Sequence, residues 1–284
     1  MLEAHAFVPG LETYVDFGDT NHAVSATHTP RLNHLLAALP LDDYERLLPD
    51  LEPVPLPLGW MVHGAGEHEG YLYFLTAGIV ARVCMTENGA SAELAVTGSE
   101  GVIGVGLFLG GESTPSQAVV ASAGYAYRLR ADLLKREFER DGLLARLLLR
   151  YTLALITQAA QSVVCNRHHT VEQQLCRWIL SCLDRLPSNE LMMTHERIAN
   201  TLGVRREGVT EAAGKLQAAG LICYHRGHID VLDRAGLEAR VCECYAVVRR
   251  EYDRLCPATN TFGDEQAHRI FARLHAGQSS ACHP

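Results

Sequence analysis

No CxxC pair occurs among the nine cysteines of this chain. An odd number of thiols without paired spacing excludes a disulfide framework as the brace of 284 residues, and a reducing cytoplasm is expected. A basic leader is equally missing. The opening MLEAHAFVPGLETYVDF carries Glu3, Glu12 and Asp16, so no secretory signal is expected, and the most apolar run, Leu143 to Ala160, is broken by Arg146 and Arg150, so no membrane span is expected. No nucleophile elbow, phosphate-binding loop, zinc-hydrolase helix or paired-carboxylate motif is present. No catalytic residue is assigned, and the chain is not read as an enzyme. An excess of positive charge is also absent: the formal net charge of -8 excludes a nonspecific polycation and requires any nucleic-acid contact to be local. What remains, 48% hydrophobic and 20% charged residues, is the composition of a folded soluble protein of one large or two ordinary domains.

The stretch from Thr194 to Leu221 organises the rest. Thr194 is placed to N-cap a helix over His195 to Leu202 that buries Ile198, Ala199 and Leu202. Gly203 supplies a tight turn with Val204 in its angle, and a second helix over roughly Arg205 to Ala219 follows, with Val209, Ala212, Ala213 and Leu216 on its apolar face. Its outer face carries Arg205, Arg206, Glu207, Gly208, Thr210, Glu211 and Lys215. Gly220 ends that helix. Leu221 to Tyr224 and His228 to Leu232 then form a hairpin whose tip is Arg226-Gly227. Such a winged helix-turn-helix presents its second helix to the major groove of double-stranded DNA, where arginine donates twice to guanine and a carboxylate accepts from cytosine. Thr194 and Arg226 complete the expected DNA-contacting set. From Thr194 to Arg250 nine Lys or Arg face seven Asp or Glu, so this region carries about +2 and the remainder about -10.

The run ERIANTLGVRREGVT, the AAGLI ending and the RGHIDVLDRAGLE wing and exit resemble the DNA-binding domain of the Crp/Fnr superfamily of bacterial transcription regulators. The resemblance implies a homodimer on an inverted-repeat operator, with RNA polymerase as a further partner. Family members typically carry an arginine four residues after the RE glutamate. Glu211 stands there instead, which sets the family's consensus operator aside.

Upstream, residues 1–30 show no sustained periodicity and are read as an extension, in which His22 and His28 lack a thiolate or carboxylate at ligand spacing. Leu32, Leu35, Leu36 and Leu39, then Tyr44, Leu47 and Leu48, predict two short helices broken at Pro40. From Pro53 to Arg130 short apolar runs punctuated by glycine predict a compact barrel or sandwich of many strands. LPLGWMVHGAG, YLYFLTAGIVARV and SEGVIGVGLF follow the order of the superfamily's cyclic-nucleotide-binding β-roll, so the resemblance spans about Arg31 to Leu255. Nucleotide binders of that family use a Gly-Glu cassette and then an Arg-Ser/Thr-Ala segment. The corresponding stretches here read Gly104-Val105-Gly106 and Ser116-Gln117-Ala118. A buried phosphate needs a positive partner, so cyclic AMP is not expected and no cofactor is assigned. An effector of unknown kind would occupy Gly104, Val105, Gly106, Ser116 and Gln117, with Tyr151 and Leu155 from the following helix. The first cysteine is Cys84, so the N-terminal cluster that ligates an iron–sulfur centre in some members is missing.

After a short helix over Ala131 to Arg140 comes a long one from 143 to about Asn166. It has two apolar stripes. Leu144, Leu148, Tyr151 and Leu155 would cover the barrel, and Leu149, Leu153, Ile156, Ala160 and Val163 would meet a twin across a two-fold axis. Cys165, His168 and His169 close this helix without a matching ligand cluster, and the histidines complement its C-terminus; no metal ligand is assigned. Helices over Val171 to Leu186 and Asp233 to Leu255 complete the expected elements, and Cys242, Cys244 and Cys256 are not at zinc spacing. The fold class is α+β: an extension (1–30), a β-roll sensor (31–142), a dimerisation helix (143–168), a winged helix-turn-helix (169–256) and a tail (257–284). A sensing module that acts through protein contacts, and a haem- or redox-responsive regulator, are the alternative functions.

Overall fold

The computed structural model describes residues 29–256, so the expected extension up to residue 28, with His22 and His28, and the tail from residue 257 lie outside the described residues. A 3-10 turn over Pro30–Leu32 leads into α1 (His34–Ala37), and Pro40 separates it from α2 (Leu41–Leu47). Fully buried Asn33 caps α1, accepting from the Leu35 and Leu36 amides while its Nδ2 donates to Leu75 O at 2.9 Å and Gly101 O at 2.8 Å. One amide thereby ties the first helix to two separate segments of the roll.

The roll is an antiparallel sheet of β1 (Glu52–Leu56), β2 (Met61–His63), β3 (Tyr71–Met85), β4 (Ser91–Thr97), β5 (Val102–Ile103) and β6 (Gln117–Arg130), with α3 (Gly106–Leu109) between the last two. Its order is β1-β6-β3-β4; β2 also pairs with β6 and β5 with β3. β3 and β6 bend together where their register shifts around Ala77 to Val80. Glycine is required on both sides of that bend: a Cβ on Gly78 (φ 83°) would fall 2.6 Å from Ser122 O, and one on Gly124 would fall 2.0 Å from Ala77 O.

α4 (Ala131–Glu139) and α5 (Leu143–His168) follow, then α6 (Val171–Leu183), opened by a capping box between Thr170 and Gln173. α6 stops at Leu183, short of the Leu186 read from the sequence. The C-terminal unit adds β7 (Glu190–Met192), α7 (His195–Leu202), α8 (Arg206–Ala218), β8 (Ile222–His225) and β9 (His228–Val231), then α9 (Arg234–Arg240) and α10 (Glu243–Leu255). The single terminal helix expected over Asp233 to Leu255 is thus two helices. Val241 and Cys242 are extended between them, and the Cys242 Sγ lies 3.6 Å from that of Cys165.

By length and composition α5 suffices to cross a membrane, with a mean hydropathy of 1.3 over its most apolar window, but half of that window is buried within the protein. It is a core helix on one side. Leu144, Leu148, Tyr151 and Leu155 join α1, α2, α4, α10 and the Leu72 and Phe74 side of β3 in one core. A second core joins α6, α7, α8 and the wing to Ile79, Ala81 and Val96 of the roll, so the two units share packing. Arg185, just past α6, donates to Glu100 Oε1 at 2.7 Å across that boundary.

Candidate nucleic-acid interface and sensor chamber

α7 begins where the sequence places it. Thr194 Oγ1 accepts from Arg197 N at 3.3 Å, and Gly203 closes the helix at φ 66°, leaving Ile198, Ala199 and Leu202 buried. α8 starts one residue later than expected, with Arg205 as its N-cap, and it buries Val209, Ala212, Ala213 and Leu216. The opposite face exposes Arg205, Arg206, Glu207, Thr210, Glu211 and Lys215. Gly208 is half-buried at the edge of this face, where a Cβ would lie 3.7 Å from Val171 of α6. Thr210 is partly engaged, donating to Arg206 O and meeting His195 Nδ1 at 3.1 Å.

Charges on this face are unevenly committed. Lys215 Nζ lies 2.8 Å from Glu211 Oε1, one helical turn away, which lowers the Glu211 carboxyl and raises the Lys215 ammonium from their ordinary values. Among the described residues no carboxylate pairs with Arg205 or Arg206. Two guanidinium groups at the N-terminal end of α8 therefore remain available to acceptors outside the chain.

The wing follows from a two-residue turn with both residues in the left-handed region, Arg226 at φ 46° and Gly227 at φ 85°. That geometry matches the twist of the flanking strands and puts the exposed Arg226 at the tip. The sequence reading missed β7, which pairs with β9 to make a three-stranded sheet in the order β7-β9-β8. Three residues with two exposed ends carry too little alternation to be read as a strand.

Inside the roll, His63 of β2 and Arg82 of β3 both stand opposite Ala118 of β6, so the three side chains share one face. His63 Nε2 lies 3.5 Å from Glu69 Oε1, and all three polar residues are buried. Among the described residues, His63 Nε2, both Glu69 oxygens, and Arg82 Nε and Nη2 have no hydrogen-bond partner. Burial holds His63 below its ordinary value of 6.5, against the opposite pull of Glu69. The Tyr151 hydroxyl of α5 lies 2.9 Å from Thr97 Oγ1 at the end of β4.

The residues expected to line an effector site divide here. Gly104 (φ 108°) brings the turn against β3, where a Cβ would fall 2.7 Å from Tyr71 O. Gly106 faces Glu69, with a Cβ there 2.8 Å from Oε2. Ser116 and Gln117 are buried at the start of β6, and Tyr151 reaches the wall through Thr97. Val105, Leu155 and Tyr151 itself all pack in the core between the roll and its helices. Glu69, His63 and Arg82 were missed; strand register puts His63 and Arg82 on one inner face, and the buried Glu69 in the loop before β3 meets His63, neither of which local sequence reveals.

α5 leaves its second stripe uncovered. Leu149, Leu153, Ile156 and Val163 are 49%, 47%, 59% and 66% exposed, and Ala160 is exposed between them. Tucking both stripes into one protomer is thereby ruled out.

Residues 53–141 match the family model of the cyclic nucleotide-binding domain, and residues 173–240 match that of the Crp-like helix-turn-helix domain. No curated protein matches the chain. Among solved structures it is similar to FixK2 from Bradyrhizobium japonicum, with 18% identity over 68% of this chain and 98% of that one at a TM-score of 0.59. It is similar to TTHA1359, a transcriptional regulator of the CRP/FNR family from Thermus thermophilus (21% identity, 66% and 97% covered, TM-score 0.52). A third is the c-di-GMP responsive global regulator CLP of Xanthomonas campestris (18% identity, 68% and 99% covered, TM-score 0.54). At these identities the likeness is one of fold.

Proposed function

We propose, from the premise that this chain has the architecture of a Crp/Fnr-type transcription regulator, a cyclic nucleotide-binding domain joined to a Crp-like helix-turn-helix domain, that it binds an inverted-repeat operator as a homodimer in the cytoplasm. The observation that carries the reading is the outer face of α8, where Arg205 and Arg206 are exposed and unpaired beside Glu207 while the wing presents Arg226. Arg206 donates to a guanine edge, Glu207 accepts from a cytosine amine, and Arg226 meets the backbone. The uncovered stripe of α5 supplies the dimer face. Two half-sites about 34 Å apart, one turn of DNA, are then bound at high effective concentration. RNA polymerase is the further partner that this kind of regulator would contact.

The sensor takes an uncharged or zwitterionic effector rather than cyclic AMP. One buried carboxylate, Glu69, offsets one buried guanidinium, Arg82, in net charge, and burial keeps His63 toward its neutral form, so these residues carry no surplus positive charge for a cyclic phosphate. The turn that would cradle the phosphate faces the Glu69 carboxylate at Gly106.

Selection of bound duplexes from a random pool, followed by anisotropy titrations over salt, tests the first reading; an inverted repeat with salt-dependent affinity supports it. Ile156→Glu with Leu153→Glu should give a monomer by sedimentation with weaker operator binding. Duplex binding no stronger than that of an α8-scrambled chain would sink it. For the sensor, micromolar calorimetric binding of cyclic AMP that also tightens the operator complex would overturn the charge argument.

A further inference from the structure

Three thiols and an imidazole converge where the long helix hands over to the DNA-binding unit. Cys165 lies in the last turn of α5, His169 caps that helix, Cys242 is the N-cap of α10, and Cys244 is in its first turn. Their ligand atoms all lie within 4.8 Å of one another. Cys165 Sγ is 3.6 Å from Cys242 Sγ, and Cys244 Sγ is 3.6 Å from His169 Nδ1. The three cysteines form a small buried cluster of their own, separate from the main cores.

A zinc ion held tetrahedrally at about 2.3 Å from sulfur and about 2.0 Å from nitrogen separates two sulfurs by about 3.8 Å and a sulfur from a nitrogen by about 3.6 Å. The two close pairs here already have these separations. The upper limit on the others leaves about 1 Å to close, within the reach of side-chain rotation at these positions.

The surroundings fit a charged centre better than a cluster of apolar thiols. Arg177 Nε donates to Cys165 Sγ at 3.2 Å, which places one fixed positive charge beside the cluster. His169 presents Nδ1 to the sulfurs while its Nε2 lies 3.4 Å from Glu243 Oε2, the outer carboxylate that orients a metal-bound imidazole and fixes its tautomer. Gln174 Nε2 donates to His169 O at 3.0 Å, holding the ligand's backbone in place. Three thiolates and a divalent ion sum to one negative charge, and Arg177 restores neutrality.

We propose that Cys165, His169, Cys242 and Cys244 bind one zinc ion as a closed structural site that staples α10 to the end of α5. The soft, sulfur-rich set of three thiols and an imidazole selects zinc over hard, oxygen-seeking cations. Binding forms three Zn–S bonds and one Zn–N bond, and the three thiol protons pass to solvent. All four positions are filled by protein, so the ion braces the chain and activates no water.

The test uses the full chain and needs no DNA. Protein purified under reducing conditions should contain about one zinc per chain. After chelation, added cobalt should bring up a thiolate-to-metal charge-transfer band, and added zinc should abolish it. Cys244→Ser and His169→Ala should each lower zinc retention at least tenfold, whereas Cys176→Ser, a buried thiol of α6 outside the cluster, should retain it. If the cluster variants fail to fold, the cobalt titration of the wild-type chain decides alone. Zinc at background with no cobalt band overturns the proposal, as does a Cys165–Cys242 disulfide trapped by alkylation in freshly lysed cells, which would make the pair a redox couple.

Discussion

His195 and Tyr224 stack with ring centroids 4.0 Å apart and planes 24° from parallel. The Tyr224 hydroxyl also accepts from the His195 amide at 3.1 Å, so the start of α7 and the wing strand β8 move as one piece. Burial first, and the nearby Arg206 guanidinium second, hold the His195 imidazole below its ordinary value of 6.5. A histidine with a depressed folded value stabilises above its unfolded value and loses that contribution as the pH falls below it. Wild-type stability should therefore drop below about pH 6.5 more than that of His195→Gln. Tyr224→Leu should cost about 0.5–1.5 kcal/mol in a denaturant melt and weaken operator binding with α8 untouched. Unchanged DNA affinity in that variant would show that the wing does not need this anchor.

Arg206 and Lys215 are both exposed on α8, about two and a half turns apart, and stand in different circumstances. Arg206→Ala should cost about 1–3 kcal/mol at one operator position and leave others little changed, as expected for a guanine contact. Lys215→Ala should weaken all duplexes alike and lower the salt slope by about one per monomer. The Lys215–Glu211 pair adds a third expectation: Glu211→Ala frees the ammonium and should tighten nonspecific binding. Affinities for single-base operator variants measure all three. A base-preference change from Lys215→Ala, with a uniform loss from Arg206→Ala, would reverse the docking of the helix.

How far these features were legible depends on the distance over which they are encoded. Thr194, Gly203 and the Val209, Ala212, Ala213 and Leu216 stripe are local signals, and the helices they define lie within a residue or so of expectation. The two faces of α5 were equally readable, because heptad spacing separates Leu148 from Leu149 without reference to anything else. Register was not readable. Arg82 looks like any strand arginine until its pairing with Ala118 turns it inward beside His63. Likewise nothing near Cys242 announces the break between α9 and α10, where Cys242 meets Cys165 from far along the chain.

The ion pair of Glu100 and Arg185 should dominate the stability of the joint between the roll and the DNA-binding unit. Both side chains are mostly buried, at 14% and 8% exposure, and Arg185 also lies over the Tyr252 ring. Glu100→Leu should cost about 3–5 kcal/mol in a urea melt by stranding the guanidinium, while a Glu100→Leu, Arg185→Leu double variant should recover much of that loss. Equal losses in the single and double variants would mean that apolar packing alone holds the joint.

Glu93 makes the same joint sensitive to pH in the opposite sense from His195. Its carboxyl on β4 is enclosed against α6, and burial pushes it from 4.5 up to about 7, with Arg177 and Arg185 pulling back only part of the way. Below 4.5 the folded and unfolded chains both hold the proton, so the group is neutral in effect. Between 4.5 and 7 the unfolded chain gives the proton up first, and stability falls as the pH rises; above 7 the cost levels off at about 3 kcal/mol or less. Glu93→Gln keeps the shape and removes the titration. It should raise the melting temperature at pH 8, match the wild type near pH 4.5, and gain its advantage between those values. Because Gly203 of the α7–α8 turn lies beside Ala92, the residue before Glu93, the same titration bears on how firmly the DNA-reading helices rest on the roll. Parallel melts of the two proteins across that range decide it, and a pH-independent offset would assign the substitution's effect to packing.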